Sequence, residues 1–304
     1  MQRRDVLGFV AIAAIWGTSF PATRAGVEVV PPVLFAALRF DGTALLVLGY
    51  AVVVAGRWRP RGDDWHAVVA GGVGIVAAHH ALLFAGQSYV TSAVAAVVVA
   101  TVPVFTTVLA RTVLPEEGLD ATGVLGLLLG LFGVVLVAVP ADDLAGGAMA
   151  LWGDASLVGV ALVFASALAW AVGTVAVRRV RTDLPVAAMQ GWAMVVGAPV
   201  LHLTSLAVGE PQAVDPTRTA VVAYLYLVPV AGGLGYLLYF QLLDSLGAIE
   251  ITLVSYAIPV FAALVGWYWL GESVTVETVT GFLVICAGFA LVKRRALRDA
   301  VTRS

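Results

Sequence analysis

Charge is what this sequence has least of: Asp, Glu, Lys and Arg make up 12% of its residues, while 61% are hydrophobic. Soluble domains carry roughly 25% charged and about 45–50% apolar residues, so this composition excludes an ordinary water-soluble fold. Cysteine is nearly absent too. The single Cys286 rules out an intramolecular disulfide and, inside an apolar segment, reads as a small packing residue. Lysine occurs only as Lys293 near the end of the chain, so none is available as a base within the apolar segments. No two histidines stand four apart on one candidate helix, no cysteine or carboxylate completes a metal set, and neither a metalloprotease helix motif nor a nucleophile elbow occurs. No metal, no cofactor and no enzymatic activity is expected. A net charge of −2 supplies no basic face for nucleic acid. Gly71-Gly72-Val73-Gly74 and Gly232-Gly233-Leu234-Gly235 lie within apolar runs and lack the strand-turn-helix setting of a nucleotide loop.

What the chain has instead is long apolar runs. A hydrocarbon core of roughly 30 Å is crossed by about 20 apolar residues in a helix. Val6 to Thr23, Ala121 to Ala141, Ala155 to Val177, Leu184 to Gly209, Thr219 to Leu243 and Ile251 to Gly271 hold no charged side chain. Pro32 to Ala55, His66 to Tyr89, Thr91 to Leu114 and Val274 to Val292 complete the set with a few charges inside or at their ends. The runs are continuous, without the apolar-polar alternation of membrane strands. The expected fold is all-α and integral to the membrane, with ten transmembrane helices, numbered here as segments 1 to 10. Met1 to Arg4 opens an uncleaved first helix, because the apolar stretch behind it is too long for a signal peptide.

The chain also nearly repeats itself. Trp16, Arg24 and Pro31 recur 154 residues later as Trp170, Arg178 and Pro185. Leu82, Phe84, Pro103-Val104-Phe105, Leu114 and Glu116 recur after 156 as Leu238, Phe240, Pro259-Val260-Phe261, Leu270 and Glu272. Five segments per copy is an odd number, so the copies lie upside down relative to each other: two inverted five-helix repeats, the usual architecture of a secondary transporter. The expected division is a first repeat at 1–141, an outer connecting loop at 142–154, a second repeat at 155–295 and a cytoplasmic tail at 296–304. With ten crossings, 14 of the 17 basic residues fall on one face, against Arg24 and Arg218 on the other and Arg39 within the membrane. The basic face marks the cytoplasm, with both termini on it, in a multi-pass protein of the plasma membrane.

Trp16-Gly17-Thr18-Ser19-Phe20 with Arg24 four residues on, Arg39 in segment 2, the prolines Pro103 and Pro259, Glu116 and Glu272 behind segments 4 and 9, and Gly123, Gly126 and Gly281 in segments 5 and 10 together resemble an EamA-type repeat of the drug/metabolite transporter superfamily, present twice. The resemblance implies a central cavity between the halves, cytoplasmic termini and transport of small metabolites or drugs. Pro115, Asp41, His79 and His80 depart from the family pattern.

Several residues carry candidate chemistry. Arg39 lies about seven residues into segment 2, roughly 10 Å below the outer surface at 1.5 Å per residue. A charge held there costs about 2.5–3.5 kcal/mol on insertion scales, so it is expected to face the bundle interior with a partner. It either grips an anionic group of the solute or forms an interhelical ion pair that shapes the bundle. Asp41, two positions on, points to another side of the helix, and desolvation favours its protonated form. It is the candidate for coupling transport to protons, or else a carboxyl in a wet crevice or paired with another helix. His79 and His80 fall at the depth of Arg39, and at most one of them is expected to face the cavity. Each is either part of a proton relay or a neutral ring bonded to a backbone carbonyl. Trp16 and Trp170 sit near the bilayer middle rather than in the interfacial belt, and read as walls of a solute site or as packing. Thr18 and Ser19 supply hydroxyls or bond to the preceding turn. Tyr236, the mirror position of His80, adds a polar group. Pro103 and Pro259 break one backbone bond each, as gates or as packing kinks. Gly123, Gly126, Gly130 and Gly133 form a small-residue stripe for close helix contact, within one subunit or across a homodimer.

The reading is a carrier moving a small polar or amphipathic metabolite by alternating access, with the small-molecule substrate and the bilayer as its partners and a lipid or lipid-linked flippase as the alternative. An intramembrane enzyme is a third, poorer reading.

Overall fold

The computed structural model describes residues 3–113, 121–138, 155–180, 182–239, 242, 254–292 and 294, and all regular structure among them is helical. In chain order the helices are α1 (Arg3–Val27), α2 (Pro32–Val54), α3 (Asp64–Ala70), α4 (His79–Gln87), α5 (Ser92–Val99), α6 (Val102–Val113), α7 (Ala121–Ala138), α8 (Ala155–Val180), α9 (Val186–Ala207), α10 (Arg218–Tyr226), α11 (Val254–Val265) and α12 (Val276–Val292). Stretches with π-helical winding, bonded i to i+5, join α3 to α4 (Gly71–Ala78), continue α10 (Leu227–Leu234) and extend α11 (Gly266–Leu270).

Among the described residues, five helices are long and apolar enough to cross a membrane: Pro32–Val54, Asp64–Gln87, Ala155–Val180, Val186–Ala207 and Arg218–Tyr239. Ser92–Thr106, Thr122–Gly133, Ala257–Leu270 and Val276–Leu291 are shorter apolar helices. Leu45, Val53, Leu203, Leu225 and Trp267 are each more than half exposed. Apolar surface of that extent suits lipid, not water.

Inside, Phe35 and Phe40 of α2, Phe84 of α4, Met194 and Leu201 of α9 and Leu227 beyond α10 are fully buried and form one core. Where no apolar side chain intervenes, glycines let backbones touch. The glycine stripe of α7 is used within the chain: a Cβ on Gly133 would stand 2.8 Å from the Gly281 carbonyl, and one on Gly288 would stand 2.7 Å from the Gly130 nitrogen.

Carboxylates fix the helix ends from a distance. Glu210, beyond α9, accepts from the Val33 and Leu34 amides at 2.9 and 2.8 Å, satisfying donors that the first turn of α2 leaves unpaired. Pro32 loses nothing there because its position needs no N–H. Glu272 does the same for α5, accepting from the Ser92 amide at 3.0 and 3.1 Å and from its hydroxyl at 3.0 Å. Asp64 accepts from Arg57, the Arg61 amide and the Thr182 hydroxyl, at 2.8, 2.9 and 2.6 Å, tying the α2–α3 loop to the start of α9.

The two prolines behave differently. α5 and α6 part at Ala100 and Thr101, which puts Pro103 in the first turn of α6, where a missing N–H costs nothing. α11 runs through Pro259 without interruption. Pro259 still forgoes one backbone hydrogen bond there, since it has no N–H. Gly17 of α1 brings its backbone against this turn, where a Cβ on it would stand 2.9 Å from the Ile258 carbonyl.

Candidate functional site

The repeat reappears in backbone geometry. The π-helical stretch Leu227–Leu234 lies 156 residues after Gly71–Ala78, from 71 to 227 and from 78 to 234. His79 and His80 follow the first stretch; Gly235 and Tyr236 follow the second. Winding of this kind moves each donor to a carbonyl one residue further back and leaves others open. The Gly235 amide turns to Val230 and Gly232, and the Ala231 carbonyl accepts from Trp16 Nε1 at 3.1 Å. In the first copy the His79 amide goes back to Gly74, and His80 Nδ1 donates to the carbonyls of Ile75 and Val76 at 3.1 Å each.

Around these two stretches the side chains gather. The Trp16 ring meets Tyr236 edge-on at 5.7 Å and stacks on Tyr239 at 5.4 Å. Tyr226 donates to the Ile15 carbonyl at 2.9 Å, with the Thr18 side chain nearby. On the other side, His79 lies 4.5 Å from His80 and 4.8 Å from Trp170, both edge-on, and His80 lies 4.4 Å from Phe40. Arg39 joins the two groups. Its guanidinium carbon stands 5.3 Å from the Phe40 ring and 5.7 Å from Phe84, with Tyr226 and Tyr236 nearby. Arg39 is 8% exposed, and its Nε is buried without a hydrogen-bond partner. Among the described residues no carboxylate pairs with it.

Arg39, His79, His80, Trp170, Trp16, Tyr236 and Thr18 thus come together from both halves of the chain. Others do not join them. Ser19 spends its hydroxyl on the Trp16 carbonyl at 2.5 Å, the bond to the preceding turn. Neither histidine is open: they are 3% and 5% exposed, and His79 Nδ1 donates to the Ser166 carbonyl of α8 at 3.0 Å. Carbonyls stand within reach of the Nδ1 atoms of both rings. Asp41 leaves the cluster altogether and meets His202 Nε2 of α9 at 2.9 Å, with both side chains partly exposed. Pro259 lines an apolar groove of about 760 Å³ that opens outward between α5, α11 and α12, bordered by Val97, Leu264, Trp267 and Phe282.

Tyr226, Phe40 and Phe84 escaped the sequence reading, being ordinary members of apolar runs. His202 escaped it as well. It lies 161 residues from Asp41, and nothing in the spacing connects them.

Membrane-spanning apolar helices around one buried polar and aromatic cluster define a multi-pass membrane protein. The chain belongs to the EamA-like transporter family, which it matches twice, over residues 4–139 and 157–294. It is similar to the uncharacterised transporter YoaV of Bacillus subtilis (strain 168), at 24% identity over 93% of this chain and 94% of that protein. The uncharacterised inner membrane transporter YedA of Escherichia coli (strain K12) is 28% identical over 87% of this chain and 82% of that protein. A crystal structure at 23% identity shares the fold with a TM-score of 0.65, covering 96% of this chain and 97% of its own.

Proposed function

We propose that this membrane transporter is a secondary carrier of a small metabolite or drug, built as ten transmembrane helices in two inverted five-helix repeats and working by alternating access, with both termini cytoplasmic in the plasma membrane. The observation that carries the reading is the meeting of Arg39, His79 and His80 from one repeat with Trp170 and Tyr236 from the other in a single buried cluster. A site shared by two halves is one that their rocking exposes to either side in turn. The matched π-helical stretches support the pairing of the halves, and the excess of arginine on one face of the ten-crossing arrangement supports the orientation.

Asp41, held by His202, is the proposed proton-coupling group, and Pro103, at the interruption between α5 and α6, is the proposed pivot. The test is uptake by the purified full chain in proteoliposomes, with and without an imposed proton gradient. Saturable, stereoselective flux supports a carrier, and non-saturable flux points to a pore. The apolar groove beside α11 favours one second reading, a lipid flippase. Translocation of labelled lipid without solute flux would establish it.

A further inference from the structure

Resting on the carrier reading, we infer that Arg39 anchors the substrate and that the substrate class is a compact organic monoanion, a carboxylate on a flat or apolar body.

The inference begins from an imbalance. A buried charge is normally matched by a partner, because removing it from water is costly. Arg39 is 92% buried, yet its Nε has no hydrogen-bond partner and, among the described residues, no carboxylate pairs with the guanidinium. The acids on the elements around α2 are committed elsewhere. Asp41 faces His202, Glu210 holds the Val33 and Leu34 amides, and Asp64 is bound by Arg57, Arg61 and Thr182. None of them turns toward Arg39.

The other polar groups of the cluster have also spent their strongest donors. His79 and His80 give their Nδ1 protons to backbone carbonyls, Trp16 gives its N–H to Ala231, and Tyr226 gives its hydroxyl to Ile15. The guanidinium is therefore the principal unspent donor, and its planar fork matches the two oxygens of a carboxylate. The rings of Phe40 and Phe84 flank it and hold its orientation. A neutral or cationic solute would leave the charge unmatched. A dianion would bring one charge too many among the rings of Trp16, Trp170, Phe40, Phe84 and Tyr236.

The test compares acids with their uncharged isosteres. The purified full chain is heated with members of a graded panel, acetate, phenylacetate and indole-3-acetate, each beside its amide. Expected is a rise in melting temperature with at least one acid and little with its amide, since a ligand that prefers the folded protein stabilises it. Arg39→Gln should reduce the acid-over-amide affinity ratio by about tenfold to a hundredfold, the worth of a hydrogen bond to a charged group. Arg39→Lys should keep part of that ratio, which covers the case of a glutamine variant that fails to fold. Equal effects of acid and amide, no effect of any acid, or a preference that survives both substitutions would overturn the inference. Proteoliposome flux reads the carrier separately: saturable uptake of neutral solutes without acid preference sinks the anion and leaves the carrier standing, whereas absence of any saturable flux sinks the carrier.

Discussion

Gly235 lies so close under Trp16 that a Cβ on it would stand 2.6 Å from the indole Nε1, the atom that donates to the Ala231 carbonyl. Only a hydrogen fits between the two helices there. Gly235→Ala is expected to push Trp16 off its acceptor and destabilise the protein by about 1–3 kcal/mol, as overpacking does in a filled core. Gly233→Ala is the control. Its Cβ would meet Leu46 at 3.5 Å, an ordinary contact, and the melting temperature should stay near that of the parent.

Glu210 reaches the first turn of α2 across 177 residues of sequence to Val33. Removing its carboxylate in Glu210→Ala strands two amides and the Ser205 hydroxyl that donates to it at 2.7 Å. Expected is a loss of about 1–2 kcal/mol, the usual worth of a helix cap, read from thermal or denaturant unfolding. Glu210→Gln retains one acceptor oxygen and should cost less. A larger loss for Gln than for Ala would contradict the capping role.

These elements show what could and could not be read from the sequence. Apolar run lengths and the recurrence of Trp16 as Trp170 were enough to expect helices, a membrane and a paired architecture. That Arg39 and His79 lie at one depth followed from counting along each segment, because at 1.5 Å per residue position in a straight helix is arithmetic. The partners were not legible. Glu210 on α2, Glu272 on α5 and His202 on Asp41 are contacts between distant segments, and no local pattern encodes them. Nor was the π-helical winding legible, and it decides which carbonyls are open to His80 and Trp16.

Asp41 and His202 are 47% and 35% exposed in their side chains, so their pairing adds little to folding. Asp41→Asn should change stability by less than about 1 kcal/mol, in keeping with exposed pairs. In the proposed coupling role it should abolish stimulation of uptake by a proton gradient while leaving solute exchange at equal pH intact. Uptake that still follows the gradient in Asp41→Asn would remove this pair from coupling.

α7 and α12 meet through backbone, and the two glycines that touch are not equivalent. A Cβ on Gly288 would press on the Gly126 carbonyl and the Gly130 nitrogen at 2.5 and 2.7 Å, whereas one on Gly130 would find only Val104 at 4.0 Å. Gly288→Ala is expected to lower the melting temperature clearly, by the equivalent of about 1–3 kcal/mol, while Gly130→Ala stays near neutral. A side-by-side melt of the two variants checks the asymmetry.

The π-helical winding at Gly71–Ala78 and Leu227–Leu234 has a consequence for aim. Each extra residue wound into a turn rotates everything beyond it by about 100° relative to an unbroken α-helix. Rewound as plain α-helix, the same sequence would swing His79 and His80 away from Trp170 and Phe40, and Tyr236 away from Trp16. The compass bearing of the central side chains is thus set by the surplus winding in these two stretches, so a substitution that erased it could disarm the centre without altering any residue in it.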